Sequence, residues 1–249
     1  FALLRFFLGG VGNDNATGGR PSRLNPANQH FGISNLTSNL VISRCNLTAP
    51  DNAPNTDGIN MAGQNVFIER CSISTGDDNI VIKSGSTNGL SSDIRITNCY
   101  FGTGHGCSMG SFTNSPGIRN VVADNLVFEG TDAGINLKSN PTRGNVVENL
   151  SYSNITMHNV AAPFGIQSYY GTVGYPGSTG SYGAYPIGTW SNTAEKYNAT
   201  PPTPLNMPDL LPQWRNITIS DVTISGSTHY SVIWGVPNMP VRNVTFRNI

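Results

Sequence analysis

Four short segments hold most of the side chains able to do chemistry. They are Asn55-Thr56-Asp57-Gly58-Ile59, Gly76-Asp77-Asp78-Asn79-Ile80, Gly104-His105-Gly106-Cys107-Ser108 and Gly134-Ile135-Asn136-Leu137-Lys138. Each starts with polar groups beside a glycine and passes into an alternating, strand-like run. If the segments stack, Asp57, Asp78 and His105 fall close to one column. Asp77 is then the chain neighbour of Asp78, and Lys138 sits one step further along. Like charges a few ångströms apart raise a carboxylate's pKa, so such a cluster is costly unless it has a task. One task that needs it is glycoside hydrolysis, where a protonated acid and an ionised base flank one bond. Two others stay open: Asn and Asp as turn residues, or adjacent aspartates as calcium ligands, although His105 and Lys138 count against an ion that wants six or more oxygens. Neighbouring residues of a regular strand point to opposite faces. A bend at Gly76 is therefore expected, to bring Asp77 and Asp78 to one side.

The elements that would stack these segments are legible as a repeat. Asn39-Leu-Val-Ile-Ser-Arg-Cys45, Asn65-Val-Phe-Ile-Glu-Arg-Cys71 and Asp93-Ile-Arg-Ile-Thr-Asn-Cys99 share one pattern, which recurs from Asn120, Asn149, Asn216 and Asn243. The starts are separated by 26, 28, 27, 29, 67 and 27 residues, and the gap of 67 reads as two turns, one carrying an insertion. Positions +1 and +3, then +6 and +8, are apolar, the period of two of a strand face. The phase slips between them, where position +5 is Asn98, Asn125, Asn154, Asp221 or Asn248. Asn and Asp tolerate the left-handed conformation that turns a strand through a corner. Strand, corner and strand in coils of 26 to 29 residues describe an all-β parallel β-helix, since one coil alone cannot bury its apolar face. A β-sandwich does not explain in-phase repetition across seven segments. The stretch of about 169–212, dense in Gly, Pro, Tyr, Ser and Thr, reads as a long loop inserted between coils.

Composition bounds the rest. The chain has 249 residues, 37% hydrophobic and 11% charged, with 14 basic and 14 acidic side chains. This fits one solenoid domain over 1–249, and the even balance argues against a nucleic-acid partner. No run of 18 apolar residues offers a membrane span. Phe1–Leu8 is apolar but lacks a charged leader region, and reads as a strand of a longer chain. Cys45, Cys71 and Cys99 share the +6 column with Leu126, Ile155 and Val222, so they are expected as buried small apolar groups rather than disulfides or zinc ligands. Eight Asn-x-Ser/Thr sequons occur, of which Asn149, Asn154, Asn216 and Asn243 sit at repeat positions that solenoid turn chemistry already explains.

In order and spacing the four segments resemble the motifs of the family 28 glycoside hydrolases, the polygalacturonases and their relatives. Those motifs are Asn-Thr-Asp, Gly-Asp-Asp, Gly-His-Gly and Arg-Ile-Lys. The first three are intact here and the fourth reads Asn136-Leu137-Lys138. The resemblance runs from about Phe31 to Ile249 and implies a right-handed parallel β-helix that lacks its first coils. It implies inverting hydrolysis of α-1,4-galacturonosyl linkages in pectic polysaccharide, with no cofactor and no metal, by a secreted or periplasmic monomer. By the same resemblance Asp77 is the general acid, Asp57 and Asp78 hold and activate the water, and His105 tunes the acid. Asn55, Asn136, Lys138 and Tyr170 would contact substrate. Asn cannot make the two-pronged charged contact that Arg makes, so a decorated pectin such as rhamnogalacturonan or xylogalacturonan is the alternative substrate. Asn79 stands where many relatives carry Cys. A non-catalytic glycan-binding solenoid would show aromatic ladders without the carboxylates, and a lyase would use a basic residue, yet no Arg lies in the four segments.

Overall fold

The computed structural model describes residues 2–4, 29–33, 37–85, 89–141, 143–170, 208–236 and 238–249. Among them the chain winds as a parallel β-solenoid, and strand pairs between coils are parallel throughout. One sheet stacks Ser38–Ser43, Gln64–Glu69, Ser91–Phe101, Ile118–Glu129, Val146–His158, Gln213–Ser225 and Arg242–Arg247. A second sheet stacks Phe31–Ile33, Ile59–Met61, Ile80–Ser84, Cys107–Thr113, Ala133–Lys138, Ala162–Gln167 and Val232–Trp234. Between them lies one continuous apolar core, from Ile42 and Leu47 through Ile96, Phe101 and Phe128 to Trp214 and Ile219.

The register follows the repeat residue by residue. Leu40 pairs with Val66, Val66 with Ile94, Ile94 with Val121 and Val121 with Leu150. Leu150 then pairs directly with Ile217, and Ile217 with Val244. The spacing of 67 residues therefore holds one coil with an insertion, not the two turns the count suggested. The reason is that Ala162–Gln167 already supplies this coil's strand to the second sheet, so the extra chain has no second circuit to make. Most of the expected loop, 171–207, lies outside the described residues. The strand reading at the start holds for Ala2–Leu4, which pairs with Leu40–Ile42; the remainder of Phe1–Leu8 lies outside them.

Each coil turns two corners on left-handed residues, and the sequence reading found only one. Position +5 is left-handed as expected, with φ of 53–57° at Asn98, Asn125, Asn154, Asp221 and Asn248, and also at Arg44 and Arg70. The leading residue is left-handed too: Asn39, Asn65, Asp93, Asn120, Asn149, Asn216 and Asn243 have φ of 51–59°. A short polar side chain tolerates this backbone and can bond locally. Here it bonds to the coil before. The Asn65 amide donates to Asn39, Asn120 to Asp93, Asn149 to Asn120, Asn216 to Asn149 and Asn243 to Asn216, at 2.6–3.1 Å. At Asn149, Asn216 and Asn243 the sequon nitrogen is thus spent on the ladder. The sequons at Asn15, Asn35 and Asn198 lie outside the described residues. Cys45, Cys71, Cys99 and Cys107 are all buried thiols, and none forms a disulfide. Cys99 pairs with Leu126 in the column the repeat assigned to it.

Candidate active site

The second sheet sets the site. Ile59, Ile80, Cys107, Ile135 and Phe164 pair in one row. Asp57, Asp78 and His105 each stand two residues before that row, so the register places them in one column, as the spacing suggested. The chain bends at Gly76 and Asp77. Gly76 serves this bend by close approach, since a Cβ there would lie 2.4 Å from the Ala53 carbonyl and 2.6 Å from that of Pro50. Thr56 locks the same contact, donating to the Ala53 carbonyl at 2.7 Å and accepting from the Gly76 amide at 3.0 Å.

Asn79 fastens the turn that carries His105. Fully buried, it donates to the carbonyls of Ile73 and Thr103 and accepts from the Gly106 amide, at 2.8–3.0 Å. An amide suits this place because it both donates and accepts: three main-chain groups find partners there. Gly106 has φ of 75°, and a Cβ would meet the Ala133 carbonyl at 2.1 Å, so only glycine fits.

The three carboxylates sit in different surroundings. Asp78 is buried; Lys138 Nζ lies 2.8 Å from both its oxygens, and the Ser108 hydroxyl donates to Oδ1 at 2.6 Å. Asp77 is a quarter exposed, with His105 Nδ1 3.2 Å from Oδ1. It also accepts from the amides of Asp78 at 2.8 Å and Asn55 at 3.1 Å. Burial pushes the Asp77 pKa up, but the hydrogen bond and charge of His105, then Lys138, outweigh it and hold the group below the usual carboxylate range. Asp57 goes the other way. Burial first, then the charges of Asp78 and Asp77, push it up to about 6, against Lys83 at 4.0 Å and the Asn60 amide at 2.6 Å. Burial pulls His105 down, yet its bond to Asp77 and the charges of Asp78 and Asp77 leave it above the ordinary 6.5.

The family model "Glycosyl hydrolases family 28" matches residues 21–239. The chain belongs to glycosyl hydrolase family 28. Among curated relatives, the endo-polygalacturonase of Pectobacterium carotovorum subsp. carotovorum is 39% identical over 150 residues, which are 60% of this chain and 37% of that protein. A probable polygalacturonase of Arabidopsis thaliana is 36% identical over 135 residues, 53% of this chain and 28% of that one. This family 28 chain thus spans about a third of the length of the curated relatives it matches. Of solved structures, the polygalacturonase from Erwinia carotovora ssp. carotovora has a TM-score of 0.61 at 27% identity, covering 88% of this chain and 54% of that one. The Yersinia enterocolitica family 28 exopolygalacturonase has a TM-score of 0.65 at 26% identity, covering 90% and 38%.

The residues marked from the family 28 motifs differ in their surroundings. Lys138, expected at a substrate carboxylate, is 3% exposed and spends its charge on Asp78. Asn136, expected at the substrate, is fully enclosed, and neither amide atom finds a hydrogen-bond partner among the described residues. Its same-face neighbours across the sheet are Ser108 and Gly165. Asn55 is exposed and meets Asp77 through its main chain. Tyr170 is half-buried, with Lys138 Nζ 5.1 Å from its ring centroid. Four contributors were missed. Lys83 follows Ile82 as Lys138 follows Leu137, an offset that the alternation could have revealed. Asn60 and Ser108 bond Asp57 and Asp78, and Asp132 Oδ2 stands 3.6 Å from His105 Nε2. Asp77, Asp78 and His105 have ligand atoms within 4.8 Å of one another. Calcium is poorly served there, because a nitrogen base replaces an oxygen and Lys138 puts a fixed positive charge on both Asp78 oxygens.

Proposed function

We propose that this chain hydrolyses α-1,4-galacturonosyl linkages of pectic polysaccharide with inversion at the anomeric carbon, as a secreted or periplasmic monomer whose described coils form one β-helix domain. The observation that carries this reading is the arrangement of Asp57, Asp77 and Asp78 beside His105 and Lys138, in a family 28 chain whose curated relatives are named polygalacturonases. Asp77, ionised at rest, takes the proton that His105 holds across their 3.2 Å contact and passes it to the glycosidic oxygen. Water attacks from the opposite face, held by Asp78 and deprotonated by Asp57. Lys138 and Ser108 hold the Asp78 carboxylate in place for that water. A base with a pKa of about 6 is well matched to work near neutrality.

The same electrostatics favour a second reading, in which Asp57, the carboxyl pushed up to about 6, is the proton donor and Asp77 the base. The two give opposite signs. If Asp57 is the base, kcat/KM on polygalacturonate rises as pH passes up through about 6 and Asp57 ionises. It then falls above 6.5 as His105 loses its proton. If Asp57 is the acid, kcat/KM falls through about 6. A reducing-end assay across pH, with an ultraviolet scan for unsaturated product, tests both. The proposal expects a bell-shaped profile and new reducing ends without new absorbance. Absorbance would mean a lyase, and neither signal would mean a binding module.

A further inference from the structure

The cations Lys83, Lys138 and Arg143 are not alike. Lys138 pairs with Asp78 at 2.8 Å and Lys83 approaches Asp57 at 4.0 Å, so both face carboxylates of the site. Arg143 does not. Among the described residues no carboxylate lies within ion-pair distance of it, and its Nε is buried without a hydrogen-bond partner. Its guanidinium carbon instead lies 4.6 Å from the ring centroid of Phe112, an exposed aromatic. The main chain of Arg143 is fixed: its carbonyl accepts from the Thr113 amide at 3.0 Å, and its amide donates to the Asn140 carbonyl at 3.1 Å. The same carbonyl accepts from the Ser139 hydroxyl at 3.4 Å, next along the chain from Lys138. Tyr170 closes the cluster, its amide donating to the Ser139 carbonyl at 2.8 Å.

A guanidinium held over an aromatic ring keeps its charge while losing part of its freedom. Such a group takes a planar carboxylate with two parallel bonds. Lys138 is committed to Asp78 and Asn136 is enclosed, so neither offers a free charge to an acidic sugar. We propose that Arg143, held by Phe112 near Tyr170, binds a galacturonate carboxylate of the bound chain and there favours the free acid over the methyl ester. This rests on the pectic substrate proposed above. Arg143 acts in binding, and no proton or bond passes through it.

Binding separates this proposal from the activity. In the Asp77→Asn background, where turnover is blocked, calorimetry measures trigalacturonate and its trimethyl ester with Arg143 present or changed. Arg143→Gln should weaken the acid by about tenfold and leave the ester within roughly twofold, because only the acid loses a charge-assisted pair. Arg143→Lys, which keeps charge and stem, should fall between, and guards against a fold defect in the first variant. Equal weakening of both ligands, no weakening of the acid, or no binding of the acid by the Arg143-containing protein would each overturn the assignment. Absence of turnover by the unmodified chain would instead strike the proposed hydrolysis, and leaves the binding comparison intact.

Discussion

Asp77→Asn should lower kcat on polygalacturonate by about 10²- to 10⁴-fold, the usual contribution of a positioned proton donor. The amide has nearly the shape of the carboxylate but cannot take up the His105 proton and pass it on, and it removes the charge that pairs with His105. The fold should survive. Asp77 is a quarter exposed at the side chain, and its three partners are His105 and the amides of Asp78 and Asn55. Oδ1 remains able to accept from the Asp78 amide. The Asn55 amide loses its acceptor, but Asn55 is exposed and water replaces it. A shift in unfolding free energy of about 1 kcal/mol fits such a loss. Turnover and thermal unfolding measured on the same preparation check both parts. Activity within a few-fold of the unmodified chain removes Asp77 as donor.

Lys138→Met should cost about 3–5 kcal/mol of stability, because breaking a buried pair strands the other charge. Methionine fills the space of the lysine stem, so packing changes little. What remains is the Asp78 carboxylate, 4% exposed, with the Ser108 hydroxyl as its side-chain donor. Burial lowers the Lys138 pKa, but the charge of Asp78 outweighs it and the pKa ends above the ordinary 10.5. With a raised folded pKa, the lysine's contribution is complete below 10.5 and is lost as pH climbs beyond it. The deficit of the variant is therefore present at neutral pH. It should shrink in acid, where the stranded carboxylate can take up a proton and become neutral. Denaturant unfolding at neutral and acid pH reads this directly. A deficit under about 1 kcal/mol at neutral pH would place the pair among those that contribute little.

Much of the fold was legible because a solenoid repeats its physics. Leu40, Val66, Ile94, Val121 and Leu150 mark the same buried position in successive coils, and the observed register joins them. The column of Asp57, Asp78 and His105 follows from the same bookkeeping. What failed has particular causes. A count of 67 residues cannot separate two plain turns from one turn with an insertion; only the pairing of Leu150 with Ile217 does. The left-handed corner at the leading Asn is unmarked in the sequence pattern, because apolar alternation begins one residue later. Side-chain partners were the least legible. That Lys138 is spent on Asp78, 60 residues away, depends on which coil ends face each other, not on either local motif. Arg143 follows Pro141 in a turn with no periodic neighbour, so nothing in its surroundings marked it.

In the proposed mechanism a water held by Asp57 and Asp78 displaces the leaving sugar while Asp77 protonates it. Proton NMR of the first minutes of a polygalacturonate digest tests it most directly, because the new reducing end reports the face of attack before mutarotation blurs it. Direct attack by water on an α-linkage predicts that the β-anomer appears first and the α-anomer grows in later. An α-anomer present from the earliest spectra would mean a retained configuration through a covalent intermediate, and would contradict the assignment of these three carboxylates.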